Sequence, residues 1–281
     1  MQGVKSPGSI EWDILLPRFI ENVKDRTGGR LIIKLSPPGS LVGTGEMFEA
    51  VGEGTLDICE NTSTYHGGKI PVAGAIWGLP FSLKQVSEFW YLFRELGVEE
   101  ILRAEYAKFG VQLLGVSVIG NYGSVMSTKP IRTAEDYSGM KIRSFGVYAE
   151  MLEDLGASVV SIPAGEMYTA LATGTIDAAM WGSPADFAAF NIHEVCPYYI
   201  MPPWVKGMEK ELLVNPDSFN ALPHELQVIL ELSATEFLND VGLFYPYYDV
   251  DALNTMVNVH GTEVITLPDS EVAKIEEVAF R

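Results

Sequence analysis

The residue best placed to do chemistry in this chain is Arg143. The spacing predicts a short apolar strand over Met140–Ile142, the turn Ser144-Phe145-Gly146, and a helix from about Val147. Val147, Met151, Leu152 and Leu155 recur at helical spacing there, and Gly156 is the stop signal. An arginine where a strand ends and a helix begins is well placed to hold an anion. Its planar fork grips a carboxylate through two hydrogen bonds, and the first N–H groups of the helix favour negative charge. On residue type alone, an arginine in a surface ion pair is the competing reading.

Other chemistry is poorly represented. Gly43-Thr44-Gly45 lacks the third glycine of a dinucleotide fingerprint. His224-Glu225 has no second histidine four positions after the first, so it reads as the first turn of a helix rather than a zinc protease site. His66, His193 and His260 are scattered, and no G-x-S-x-G elbow is present. A nucleophile or acid/base pair in a cleft is not visible, which favours binding over catalysis. A two-lobed enzyme and a carboxylate-sensing domain without a transport role are the rival readings.

The elements around Arg143 belong to a repeated unit. Gly165–Ala178, GEMYTALATGTIDA, matches Gly45–Ile58, GEMFEAVGEGTLDI, at an offset of 120 positions, with seven of fourteen residues identical. Each copy reads as a helix, a Gly-Thr turn and a strand beginning at the aspartate. A unit that recurs once at so long a spacing implies two similar α/β lobes rather than a solenoid. Ligands in open α/β sheets bind beyond the carboxyl ends of strands. Asn61–Tyr65 and Met180–Ser183, which follow the two copies, are therefore expected to face each other across a cleft.

At 281 residues the chain can fill two cores. Its 37 acidic and 19 basic residues give a net charge of −18, which argues against nucleic acid. No apolar run reaches the length of a bilayer span, and Met1–Ser9 reads as a polar, turn-rich tail without a signal peptide. Cys59 and Cys196 sit in apolar surroundings on different lobes and read as buried free thiols. Helices are expected over Ile10–Val23, Val86–Leu96 and Glu99–Phe109, and a very long one from Pro223 to about Val259, interrupted by Pro246. Strands are expected at Leu31–Leu35, Asp57–Asn61, Val111–Val118, Glu211–Val214 and Thr262–Leu267. Ala73–Phe81 reads as a buried loop.

With RTAEDYSGMKIRSFG (Arg132–Gly146), GEMYTALATGTIDAAMWG (Gly165–Gly182) and GRLIIKLSPPGSL (Gly29–Leu41), the chain resembles the substrate-binding proteins of tripartite ATP-independent periplasmic (TRAP) transporters, of the dicarboxylate-binding-protein-like type. The resemblance runs from about Ile10 to Arg281. It implies a two-lobed, periplasmic-binding-protein-like α/β fold, with mixed sheets flanked by helices and a long helix bracing both lobes. Lobe I would comprise 1–121 plus about 208–245, and lobe II 122–207 plus about 246–281. The implied function is capture of an organic acid by hinge closure in the periplasm and delivery to membrane-integral transporter subunits, without nucleic acid or membrane insertion. Two departures, the lack of a strand before the first helix and an end inside the last helix, imply a fragment that has lost its signal peptide.

Arg143 occupies the position of the family's carboxylate-pairing arginine. Asn121 matches a ligand-contacting asparagine, and Trp181 an aromatic wall. Metal-using relatives carry a glutamine and an acidic residue where this chain has Ile119 and Met180. Neither is a hard oxygen donor, so no metal and no cofactor is expected. Tyr65, Tyr122, Phe145 and Trp204 fall at strand ends or turns and complete the candidate pocket with Met180. That pocket would be mostly apolar with one anionic anchor, suited to a monocarboxylate with an apolar or aromatic body, such as a 2-oxo or 2-hydroxy acid. Lys206 is the other cation considered for a second carboxylate.

Overall fold

The computed structural model describes residues 1–5 and 7–280. A π-turn at Glu11–Leu15 runs into α1 (Leu16–Arg26). There follow α2 (Met47–Gly52), β1 (Ile58–Asn61), α3 (Pro71–Ile76), α4 (Val86–Trp90), α5 (Val98–Ala107) and β2 (Gln112–Ile119). The middle of the chain supplies β3 (Ser124–Ser127), β4 (Lys141–Arg143), α6 (Val147–Asp154), β5 (Ser158–Val160), α7 (Met167–Ala172), β6 (Ala178–Trp181) and α8 (Pro184–Ala189). Last come β7 (Tyr198–Met201), β8 (Met208–Val214), α9 (Pro216–Asn220), α10 (His224–Asn258), β9 (Glu263–Thr266) and α11 (Asp269–Ala279).

These elements form two compact units, giving a two-lobed α/β fold. The first comprises Met1–Gly78, Gln85–Ile119 and Met208–Phe244; the second comprises Leu79–Lys84, Gly120–Gly207 and Tyr245–Arg281. Leu79–Lys84, assigned by sequence to lobe I, groups with the second unit because the Phe81 N–H donates to the Trp204 carbonyl at 2.8 Å and their rings lie 6.0 Å apart.

In the first unit β8 is the central strand, antiparallel to both β1 and β2. All seven of its residues are buried, including the charged run Glu209-Lys210-Glu211. Leu226, Leu230, Ala234, Phe237, Leu238 and Val241 of α10 are buried at helical spacing, as a core-facing stripe requires. The expected strand at Leu31–Leu35 is not formed; among these residues and their neighbours only Ser36 makes a bridge, to Gln2. Gln2 also bridges Cys59 and is fully buried, so the N-terminal residues are threaded into the sheet region rather than forming a tail. Of the expected loop Ala73–Phe81, the first part, Ala73–Ile76, is instead the end of a helix, α3, started by Pro71, where a missing N–H costs nothing, and Trp77–Phe81 is irregular as expected.

The second unit holds a six-stranded mixed sheet in the order β5-β4-β6-β3-β7-β9. β4 runs parallel to both β5 and β6, β3 is antiparallel to β6 and β7, and β7 is parallel to β9. The end of α10 belongs to this unit: Asp249 accepts from the Ala185 N–H at 3.1 Å, and the Tyr245 hydroxyl donates to Asp186 at 3.5 Å.

The repeat is visible in both units at the same offset. A 3-10 turn (Thr44–Glu46 and Ala164–Glu166) leads into α2 or α7, followed by β1 or β6. The two strands are used differently, since β1 lies at a sheet edge and β6 between two neighbours.

Candidate functional site

Arg143 is the last residue of β4, in register with Val160 of β5 and Ala179 of β6. Pairing on both sides fixes its backbone, and the side chain is buried, at 7% exposure. Its Nε–H donates to the Ile162 carbonyl at 3.1 Å, which sets the plane of the guanidinium. The Cζ atom lies 5.0 Å from the centre of the Phe145 ring and 6.0 Å from that of Trp181, within the range where a cation is drawn to an aromatic face. Gly146, at φ +58°, turns the chain from β4 into α6, a conformation that disfavours a side chain.

Trp181 ends β6 and is held edge-on by Phe187 at 5.9 Å and Phe190 at 5.2 Å. Alternation along β6 places Trp181 with Ala179 on the face that Arg143 shares, and Met180 on the opposite one. Arg143, Phe145 and Trp181 are therefore brought together, with Tyr148 beside Phe145 at 6.2 Å. Met180 instead packs towards Gly123, where an added Cβ would meet its Cε at 3.2 Å. Trp204 is buried in an aromatic cluster with Tyr137 at 5.8 Å and Phe81. Nearness to a strand end or turn is what the sequence offered for these two, and it is blind to which face a side chain takes.

Asn121 stands at φ +52°, at the chain's passage into the second unit, and its carbonyl accepts from the Ser124 hydroxyl at 3.0 Å. Tyr122 is buried and bridges Val205 across antiparallel backbone. Burial lowers the pKa of Lys206, which is half-buried. Tyr65 lies in the first unit, 47% exposed on the 3-10 turn Ser63–His66 that follows β1. Ile119, the end of β2, is fully buried.

A polar network that sequence reasoning missed underlies that turn. Glu209 Oε2 accepts from the Ser63 N–H at 2.9 Å, and the Glu209 carbonyl accepts from the Thr62 hydroxyl at 3.0 Å. The Tyr106 hydroxyl donates to Glu211 Oε2 at 2.8 Å and lies 2.8 Å from His66 Nε2. With the tyrosine proton so engaged, His66 must supply an Nε2–H to the tyrosine oxygen. Burial lowers the His66 pKa to about 4 and keeps the ring neutral. The strand expected from sequence began at Glu211, so Glu209 and Lys210 fell outside it, whereas the observed β8 takes in the whole run Glu209-Lys210-Glu211.

A family model described as DctP, bacterial extracellular solute-binding protein, family 7, matches residues 3–280. The chain belongs to this family. It is 28% identical over 283 residues to the monocarboxylate 2-oxoacid-binding periplasmic protein all3028 of a Nostoc species, covering 97% of this chain and 76% of that protein. A solved TRAP transporter solute-binding protein from Bordetella bronchiseptica, described as a dimer with copurified calcium and picolinate in the active site, is 26% identical with a TM-score of 0.86, covering 100% of this chain and 83% of that one. Another, from Desulfovibrio salexigens with bound orotic acid, is 26% identical with a TM-score of 0.84, covering 99% and 88%.

This chain is a solute-binding protein of the DctP family, and its structural neighbours are TRAP transporter solute-binding proteins, receptors rather than enzymes. The family is extracytoplasmic, and its members work with membrane transporter components. Among the described residues, no helix is long and apolar enough to cross a membrane.

Proposed function

We propose that the captured acid is a monocarboxylate with an apolar or aromatic body, such as a 2-oxo or 2-hydroxy acid, and that Arg143 pairs its carboxylate. The observation that carries this reading is the buried Arg143 guanidinium beside the rings of Phe145 and Trp181. A charged fork answers the carboxylate, and ring faces answer a flat or apolar body. The ligands named for the relatives, a 2-oxoacid, picolinate and orotic acid, each carry one carboxylate. Asn121, Tyr122 and Tyr65 are assigned to the remainder of the ligand, and Met180 and Trp204 to the packing behind it. Delivery to the membrane-integral transporter subunits completes the role.

Calorimetric titration with pyruvate, picolinate, orotate and a dicarboxylate such as succinate tests the class. Tighter binding of the monocarboxylates supports it, and preference for succinate overturns it. Arg143→Ala should weaken binding by about 2–5 kcal/mol with the fold intact, through loss of a charge-assisted contact in a desolvated site. Unchanged affinity in the folded variant would remove Arg143 as the anchor.

A further inference from the structure

Two carboxylates stand on one face of a buried strand. Glu209 and Glu211 are two positions apart on β8, so their side chains project to the same side of the sheet. Both are fully buried. Each has one oxygen committed, Glu209 Oε2 to the Ser63 N–H and Glu211 Oε2 to the Tyr106 hydroxyl. The other oxygen of each, Oε1, has no hydrogen-bond donor among the described residues, yet the two side chains are within hydrogen-bonding reach of one another. Two ionised carboxylates can only repel there; one proton between them turns the contact into a hydrogen bond.

Burial is the largest influence on the pair and favours the protonated form; the Lys210 charge, acting from behind the strand, favours the ionised form of both carboxyls and is outweighed. Lys210 projects to the opposite side of β8, where it pairs with Glu60 and lies 3.5 Å from Glu11. From the turn after β1 comes His66, neutral through burial, with Nε2 3.5 Å from Glu211 Oε1. From α5 comes Tyr106, and from β1 come Cys59 and Asn61, the latter opposite Glu211 in register. Burial raises the Cys59 pKa and keeps it a neutral thiol. Glu49 of α2 and Lys69 act on His66 from further out, paired with each other.

We infer that Glu209 and Glu211 share one proton and that the pair, through Glu209, is a positioning device for the turn Thr62–His66. With the proton in place, Glu211 donates to Glu209, and Glu209 is free of repulsion to accept from the Ser63 amide. With the proton lost, two buried negative charges face each other and the anchor of the turn gives way. Burial and the mutual repulsion both push the pair's titration upwards, so one proton is retained at neutral pH. The turn carries Tyr65, and the bearing on ligand capture rests on the assignment of Tyr65 to the ligand.

The test is made without ligand, so the shared proton and the role of Tyr65 stand or fall separately. Folding constants from denaturant unfolding are measured from pH 7.5 to 9 for the wild type, Glu211→Gln and Glu209→Gln, together with hydrogen exchange at the Ser63 amide. A proton kept in the fold and absent from the ionised unfolded chain makes the folding constant fall about tenfold per pH unit. Glu211→Gln can donate to Glu209 and accept from Tyr106 without titrating. Its profile should be shallower by that one proton, with Ser63 still protected. Glu209→Gln should likewise flatten the profile while accepting from Ser63. Slopes in both variants equal to the wild type, or a Ser63 amide that exchanges as fast as exposed turn amides in the wild type at pH 7.5, would overturn the proposal.

Discussion

The Cζ atom of Arg143 lies 5.0 Å from the centre of the Phe145 ring, although the two residues are only two positions apart in the chain. A continued strand would send both to the same face about 7 Å apart. β4 ends at Arg143 and the chain leaves the strand ahead of α6, and there the phenyl ring and the guanidinium share a site. Phe145 is thereby tied to the arginine's orientation as well as offering a surface to ligand.

Phe145→Leu keeps an apolar side chain and removes the ring. Loss of the cation–ring contact should weaken binding of an aromatic monocarboxylate such as picolinate by about 0.5–2 kcal/mol. Arg143→Lys keeps the charge and removes the fork, and should cost more for any carboxylate. Isothermal titration of the two variants ranks these effects. Equal affinity in Arg143→Lys and the wild type would exclude a bidentate contact.

Ligand binding should be indifferent to metal. Ile119 is fully buried at the end of β2 and Met180 lies within β6, and neither side chain is a hard oxygen donor. The Bordetella bronchiseptica neighbour, by contrast, is described with calcium beside picolinate. Picolinate affinity measured after dialysis against EDTA, and again with added calcium or sodium, should not change. A collapse in chelator would refute this expectation.

Much of the architecture was legible because it rests on local signals. The offset of 120 positions survives as matching turn–helix–strand units, and helical spacing after Gly146 marked α6. The long helix was found through its apolar period, which continues past Pro246 because a single missing N–H breaks one rung of the ladder. Leu31–Leu35 shows the limit: alternation gave a strand, but a strand needs partners along its length, and only Ser36 finds one. In the site, Arg143 and Phe145 could be read from a strand–turn–helix pattern. Which of Trp181 and Met180 shares the face of Arg143 could not, because it depends on the parallel register of β4 with β6. Glu209 and Glu211 were overlooked since charge ordinarily marks an exposed residue.

Lys210 should be a sensitive point of the first unit. Its ammonium is buried with Glu60, which also accepts from the Val4 N–H at 2.9 Å, and with Glu11 at 3.5 Å. These carboxylates outweigh burial and raise its pKa, so it stays charged. Lys210→Met removes the cation and leaves two buried carboxylates facing one another. Breaking such a pair costs about 3–5 kcal/mol. Denaturant unfolding at pH 7 should show that loss, whereas a variant within 1 kcal/mol of wild type would mean that the carboxylates take up protons or solvent at little cost.

His66 gives stability a dependence on pH that opposes that of the acid pair. Its folded pKa, about 4, lies below the ordinary value of 6.5 because burial penalises the charged ring. The unfolded chain therefore binds the proton first. Stability from this residue is fully present above pH 6.5 and is lost as pH falls towards 4, by about 3 kcal/mol. The carboxyl pair acts in the other direction, since its raised titration favours the fold at lower pH. The two trends should partly cancel in the wild type between pH 4 and 6.5, leaving a shallow profile. His66→Gln keeps a donor towards Tyr106 and removes the titration, so its folding constant should rise relative to the wild type as the solution is acidified. Unfolding curves at half-unit pH steps across that range decide the matter. A difference between variant and wild type that does not change with pH would show that His66 is not held neutral by the fold.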